Sequence, residues 1–183
     1  SAASDVYKRQ LTGNALDLGI NGQGMFILDT LEKLGELAYT RNGAINIRED
    51  GTLVNSDGLS YLDINSDEII LPFKITNEKG EERSLSEVKV TAEGFLEVTY
   101  GIDNYVTVAQ IGLAKFADET QLKAKGDNIF TATPESGKAI IGAGKDLGFG
   151  KINAGSLEAS NTDITAELTL LIRAQQAFNG SAK

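Results

Sequence analysis

Four features of this sequence bring together residue types that do chemistry elsewhere. IGAGKD, residues 141–146, has the form of the end of a phosphate-binding loop, where glycine amides cradle an anion and a lysine meets its charge. That pattern needs glycine where Ala139 stands and Ser or Thr where Asp146 stands. DINSDE, from Asp63, opens like a calcium loop, but Glu68 replaces the turn glycine and Lys74 replaces the bidentate glutamate. Ser86 and Lys89 have the SxxK spacing of an acylating serine, without SDN or KTG companions and without a GxSxG elbow. The 26 acidic residues offer many pairs for a two-carboxylate glycosidase, yet none is flanked by the apolar residues that would raise a pKa. A solvated turn explains DINSDE better, surface charge the carboxylates, and chance the SxxK spacing, which runs into the VKV strand; IGAGKD misses its pattern at two positions. The reading is therefore no catalytic residue, no cofactor, no metal and no small-molecule substrate.

Composition narrows the field further. Cysteine, histidine and tryptophan are all absent, which removes thiolate and imidazole zinc ligands, disulfides and His-based acid/base mechanisms. The formal charge of −9 sets up a field that repels nucleic acid and anionic lipid surfaces. A hydrophobic content of 41% over 183 residues suits one domain with a real core. Lys8 and Arg9 precede no apolar run, so the chain shows no signal-peptide core, and no stretch approaches a membrane span. Residues 1–13 read as a linker or non-native leader.

The rest of the chain must be built mostly from short strands. LDLGI, NGQG and MFIL predict a hairpin turned at Asn21-Gly22. ELAYT, AINI, TLVN and LSYL follow, punctuated by Asn42-Gly43, Asp50-Gly51 and Asp57-Gly58. Gly24-Met25-Phe26 and Tyr39-Thr40-Arg41 read as core and hairpin edge. Residues 73–100 form a short insertion-like hairpin region, in which Phe95, Glu97 and Thr99 alternate against Leu96, Val98 and Tyr100. Residues 105–116 predict a central strand, 118–125 a short helix, and DNIFTAT and KAIIG more strand. IGAGKDLGFGKINAG reads as a glycine-rich linker or crossing. The expected fold is mainly β: an antiparallel sandwich or barrel-like domain over 14–150, followed by a C-terminal α-helical segment over 151–183.

That helix, LEASNTDITAELTLLIRAQQAF, is the feature the β domain does not explain. Ser160 or Asn161 caps it, and Asp163 lies in the first turn, where the helix dipole favours a carboxylate. Ile164, Leu168, Leu171, Gln175 and Phe178 fall within an arc of about 80°, the seam of a coiled coil. No second helix of matching length occurs in the sequence, so the partner must come from other copies or from sequence outside this chain.

ALDLGINGQGMFILDT, AYTRNGAINIREDGTLVNSDGLSYL, Leu71-Pro72, VAQIGLAKF and GSLEASNTDITAELTLLIRAQQAF together resemble the flagellar hook and basal-body rod proteins of bacteria. The resemblance runs from about Asn14 to Lys183 and is weakest over 73–100. It implies a structural axial subunit, exported through the flagellar type III apparatus without a cleaved signal peptide. Identical subunits would polymerise helically into the hook or rod tube that transmits motor torque, in contact with neighbouring axial proteins. Leu157, Glu158, Ser160, Asn161, Asp163, Glu167, Ile172, Gln175 and Phe178 match the family's C-terminal motif, whose implied role is helix start and inner-tube packing. The family's N-terminal helix has no counterpart here and the C-terminal helix stops short, so the chain reads as a fragment. Residues 73–100 are too short for the extra domain of large hook proteins, which leaves a distal-rod or compact hook protein; VAQIGLAKF and the helix motif resemble the latter slightly more. The alternative is a secreted β-sandwich module binding carbohydrate or protein, for which five tyrosines and no tryptophan are a poor aromatic supply.

Overall fold

The computed structural model of the chain describes residues 13–155. The helix expected at 157–178, with every seam and motif residue on it, lies outside the described residues. In chain order the first strands are β1 (Asp17–Asn21), β2 (Met25–Leu28), β3 (Ala38–Thr40), β4 (Gly43–Ala44), β5 (Asn46–Ile47) and β6 (Leu53–Val54). A one-turn helix, α1 (Leu31–Leu34), joins β2 to β3. Then come β7 (Lys74–Thr76), β8 (Glu82–Val90), β9 (Phe95–Tyr100), β10 (Asn104–Gln110), β11 (Leu113–Lys115), β12 (Lys123–Ala124), β13 (Phe130–Thr131), β14 (Ile140–Gly142) and β15 (Lys151–Ala154). The mainly β reading holds, and every strand pairing is antiparallel.

The expected β1–β2 hairpin does not form. A type I′ turn needs positive φ at both central residues, and Asn21 is not among the residues that adopt it. The chain instead turns a corner between two sheets. β1 lies between β15 and β4, while β2 sits inside a sheet ordered β12-β13-β3-β2-β11-β14. β2 is MFIL, four apolar residues bounded by turn signals, and all four are buried. Strand periodicity sends Phe26 and Leu28 into the larger core and Met25 and Ile27 into a smaller one on the opposite face. At about 1.5–3 kcal/mol for each fully buried large side chain, this one strand ties two cores together.

The 73–100 region is larger than a hairpin. β7, β8, β9 and β10 form a four-stranded meander whose inner residues Leu85, Val88, Val90, Leu96, Val98 and Tyr100 join the larger core. Glu87, Lys89, Glu97 and Thr99 face outward, as one-sided burial requires. The single strand expected at 105–116 is two. β10 is an edge of the meander and β11 an interior strand of the six-stranded sheet, with the crossing at Ile111-Gly112. There the backbone passes so close to Asp63 that a Cβ on Gly112 would lie 2.6 Å from its carbonyl oxygen. The short helix expected at 118–125 is reduced to a 3-10 turn, Glu119–Gln121, whose start is capped by the Asp118 carboxylate. Residues 151–154 belong to the sheet and not to a linker, because β15 pairs with β1 over four residues in register.

Candidate functional site

The sequence stretches that approached catalytic patterns are consumed by local structure. The Asp63 carboxylate accepts the amides of Asn65 and Asp67 at 2.8 and 2.9 Å, closing its own turn. Ser86 donates to the carbonyls of Thr99 and Gly101. In IGAGKD the Asp146 carboxylate takes the Ala143 amide at 2.8 Å, and Gly144 packs on the Ala92 carbonyl. Among the described residues no group of three or more acidic side chains is arranged around a metal site. One shallow depression lies on the outer face of the meander among Glu87, Lys89, Glu97, Tyr105 and Thr107.

What the structure does assemble is a junction built by AYTRNG and INGQGMF, two stretches that each cross between the same two sheets. β3 ends at Thr40 beside Phe26, which projects Arg41 onto the β1–β2 corner. Its guanidinium donates to the carbonyls of Ile20, Gly22 and Gly24 at 2.9, 2.8 and 2.7 Å. An arginine fork suits this task because its donors are fixed in one plane and remain charged. Next along the chain, the Asn42 carbonyl accepts the Tyr61 hydroxyl at 2.8 Å. The Tyr61 ring is buried edge-on to Phe26, with centroids 6.0 Å apart. Gly43 then pairs with Leu18 with no room for a side chain. On the other side of the corner Gly150 donates to the Gln23 carbonyl at 2.7 Å. The backbones at Gly22 and Gly150 touch so closely that a Cβ on Gly22 would lie 2.7 Å from the Gly150 Cα.

Reading Tyr39-Thr40-Arg41 as core and hairpin edge therefore missed the role of Arg41. Its acceptors are all backbone carbonyls, which leave no side-chain signal in the sequence. Arg41→Ala is expected to cost about 2 kcal/mol, less than three full charge-assisted bonds because the freed carbonyls lie near water. Arg41→Lys should recover less than half of that, since an ammonium cannot serve three acceptors as a planar fork does. Urea unfolding followed by circular dichroism measures both; an alanine variant within about 0.5 kcal/mol of the parent would count against the clamp.

The same two strands, β1 and β15, also bring the ends of the described chain together. Leu18 stands opposite Ala154, and the Gly155 amide donates to the Asp17 carbonyl at 2.9 Å. The first and last described strands thus begin and end side by side. Burial raises the pKa of the Asp17 carboxyl at this point from its ordinary value.

Two comparisons bear on this arrangement. The profile of the flagellar hook protein FlgE/F/G D1 domain matches residues 19–100, and that of the flagellar basal body rod FlgEFG protein C-terminal region matches residues 153–183. The flagellar basal-body rod protein FlgG of Agrobacterium fabrum is 35% identical over 175 residues, 94% of this chain and 60% of that protein. FlgG of Caulobacter vibrioides is 37% identical over 173 residues, with the same two shares of 94% and 60%. The flagellar hook protein FlgE of Helicobacter pylori is 32% identical over 133 residues, 73% of this chain and 18% of that protein. The chain spans about 60% of the length of the rod relatives it matches.

Proposed function

The chain belongs to the family of bacterial flagellar hook and basal-body rod proteins, and from that premise we propose that it is a structural subunit of the axial tube, of the rod type. The observation that carries the rod assignment is coverage. Similarity to rod proteins runs along 94% of the chain, against 73% for the Helicobacter pylori hook protein and 59% for that of Salmonella typhimurium. This reading departs from the leaning toward a compact hook protein drawn from VAQIGLAKF and the helix motif.

In this reading the β domain forms tube wall, performs no catalysis, and contacts identical copies and neighbouring axial proteins. It reaches the flagellum by the export route of the axial structure, without a cleaved signal peptide. Residues 157–178 form an inner-tube helix whose Ile164, Leu168, Leu171, Gln175 and Phe178 seam packs on helices of the polymer. The side-by-side entry and exit at Asp17 and Gly155 supports this, because segments flanking the domain leave from one place and can run together. Most helical stability comes from packing of an amphipathic face, which in this reading the polymer supplies.

The test is Leu171→Asp with Phe178→Asp in the full-length chain. Sedimentable polymer should fall at least tenfold while the melting of the β domain is unchanged. Polymer that survives the substitutions, or melting that falls with it, would overturn the assignment of that seam to the tube core.

A further inference from the structure

Among the described residues, Asn or Asp precedes Gly at Asn21-Gly22, Asn42-Gly43, Asp50-Gly51 and Asp57-Gly58. Such a pair can react with itself. The glycine nitrogen attacks the side-chain Cγ of the residue before it and forms an N–Cγ bond. Its proton departs with the leaving group, as ammonia from asparagine or as water from a protonated aspartate, and a five-membered imide remains. Water then reopens the ring on either side. Breaking the new N–Cγ bond gives an ordinary aspartate, whereas breaking the bond to the main-chain carbonyl gives isoaspartate, with the backbone running through Cβ and Cγ. Glycine favours the attack because no Cβ shields its nitrogen. The reaction needs a side chain that can swing, a backbone that can turn and, for aspartate, the neutral acid.

The fold withholds these conditions at the first three pairs. Asn42 Oδ1 accepts the Ala44 amide at 3.1 Å, its own amide donates to Thr40 Oγ1 at 3.0 Å, and its carbonyl takes the Tyr61 hydroxyl. Gly43 beside it is buried against Leu18. Asn21 is exposed, but its backbone is fixed: it pairs with Lys151, Arg41 holds the carbonyls of Ile20 and Gly22 on either side of it, and Gly22 packs on Gly150. The Asp50 carboxylate accepts from the Arg48 guanidinium at 3.1 and 3.0 Å and from the Thr52 amide at 3.0 Å. The hydrogen bonds from Arg48 hold it well below the usual carboxylate range, and so in the unreactive ionised form. Gly51 is buried, where a Cβ would lie 2.3 Å from the Leu71 carbonyl oxygen.

Asp57-Gly58 is the same dipeptide as Asp50-Gly51 in the same kind of turn. Gly58 donates to the Asn55 carbonyl at 3.0 Å as Gly51 does to that of Arg48 at 2.9 Å, and the two glycines have φ of +80° and +92°. Here the surroundings are open. Both residues are exposed, the Asp57 carboxylate has no hydrogen bond or ion pair among the described residues, and a Cβ on Gly58 would meet nothing within 4 Å. Ring closure is opposed by the hydrogen bonds of Gly58 and Asp57 to Asn55, inside a water-exposed turn that belongs to no strand. Bonds of that kind open locally at a small fraction of the cost of unfolding.

We propose that Asp57 is a site of spontaneous isoaspartate formation, and that the fold shields Asn21, Asn42 and Asp50 from the same chemistry. The product keeps its carboxylate and lengthens by one carbon the main chain of the turn between Val54 and Ser60, which face each other across a β-bridge.

The full-length chain is incubated in mildly acidic and in neutral buffer, folded and in concentrated guanidinium chloride, then digested and its peptides separated. Isoaspartate gives a peptide of unchanged mass and altered retention, and deamidation gives the mass gain of amide to acid. The peptide carrying Asn179-Gly180, outside the described residues, takes no part in the ranking. In denaturant Asp50 and Asp57 should convert at similar rates. In the folded chain Asp57 should convert more than about tenfold faster than Asp50, and Asn21 and Asn42 should deamidate more than about tenfold slower than in denaturant. Asp57→Asn should deamidate at position 57 nearly as fast folded as unfolded, and Gly58→Ala should suppress conversion at Asp57. The proposal is overturned if Asp50 keeps pace with Asp57 in the folded chain, if Asn21 loses ammonia equally fast folded and unfolded, or if Asp57→Asn reacts only in denaturant.

Discussion

Tyr61→Ala is expected to destabilise the β domain by about 4 kcal/mol, within the range for deleting a large buried aromatic. The ring is 1% exposed, packs edge-on against Phe26, and sends its hydroxyl to the Asn42 carbonyl at 2.8 Å. Tyr61→Phe separates these contributions. It keeps the ring and leaves one half-buried carbonyl without this partner, for a loss of about 1 kcal/mol. Urea unfolding followed by circular dichroism gives both values, and an alanine variant no worse than the phenylalanine variant would mean that the ring's packing contributes little. The same residue sets the alkaline limit. Burial pushes the pKa of Tyr61 far up, and burial also raises those of Tyr39 and Tyr100. An unfolded tyrosine ionises near pH 10, so above that pH the unfolded state binds fewer protons than the native state and stability falls as pH rises. The contribution is complete below about pH 10. Tyr61→Phe should therefore lose stability less steeply than the parent between about pH 10 and 12; parallel curves would contradict this origin.

Gly43→Ala is expected to cost about 3 kcal/mol, at the upper end for overpacking. A Cβ there would lie 2.2 Å from the Leu18 carbonyl oxygen and 2.8 Å from the Phe26 ring. Neither can give way easily. The carbonyl belongs to β1, which pairs with β4 at this residue, and Phe26 is fully buried under Tyr61. Gly58→Ala is the informative contrast. Gly58 has φ of +80° but nothing within 4 Å of a Cβ, so alanine meets only the left-handed backbone penalty of about 1 to 2 kcal/mol. Thermal unfolding of the two variants should rank Gly43 as the more damaging. The reverse order would mean that the β1–β4 seam opens without cost.

The fate of particular residues shows where sequence reading succeeded. Phe95 to Tyr100 was legible because strand periodicity is a local property: a sheet with one buried face forces alternation, and that strand shows it. MFIL was legible as strand for another reason: a short apolar run bounded by turn signals fits a strand buried on both faces. Its partners were not. Asn21-Gly22 has the composition of a hairpin turn, yet the competing contacts of β1 with β15 and of β2 with β3 and β11 are made by residues remote in the chain. Arg41 was hidden because its three acceptors are main-chain carbonyls that any residue could carry.

By itself the sequence determined the mainly β class, the absence of thiol and imidazole chemistry, and the family, through YTRNG and the LEASNTD motif. These follow from residue type and local spacing. Only the tertiary structure decided that KINA returns to β1 as a strand, that residues 105–116 divide between two sheets, and that Leu147 stands exposed. Those outcomes depend on close backbone approaches, Gly22 to Gly150 and Gly112 to Asp63. Such approaches are contacts across long separations in the chain, and local composition does not encode which glycine meets which strand.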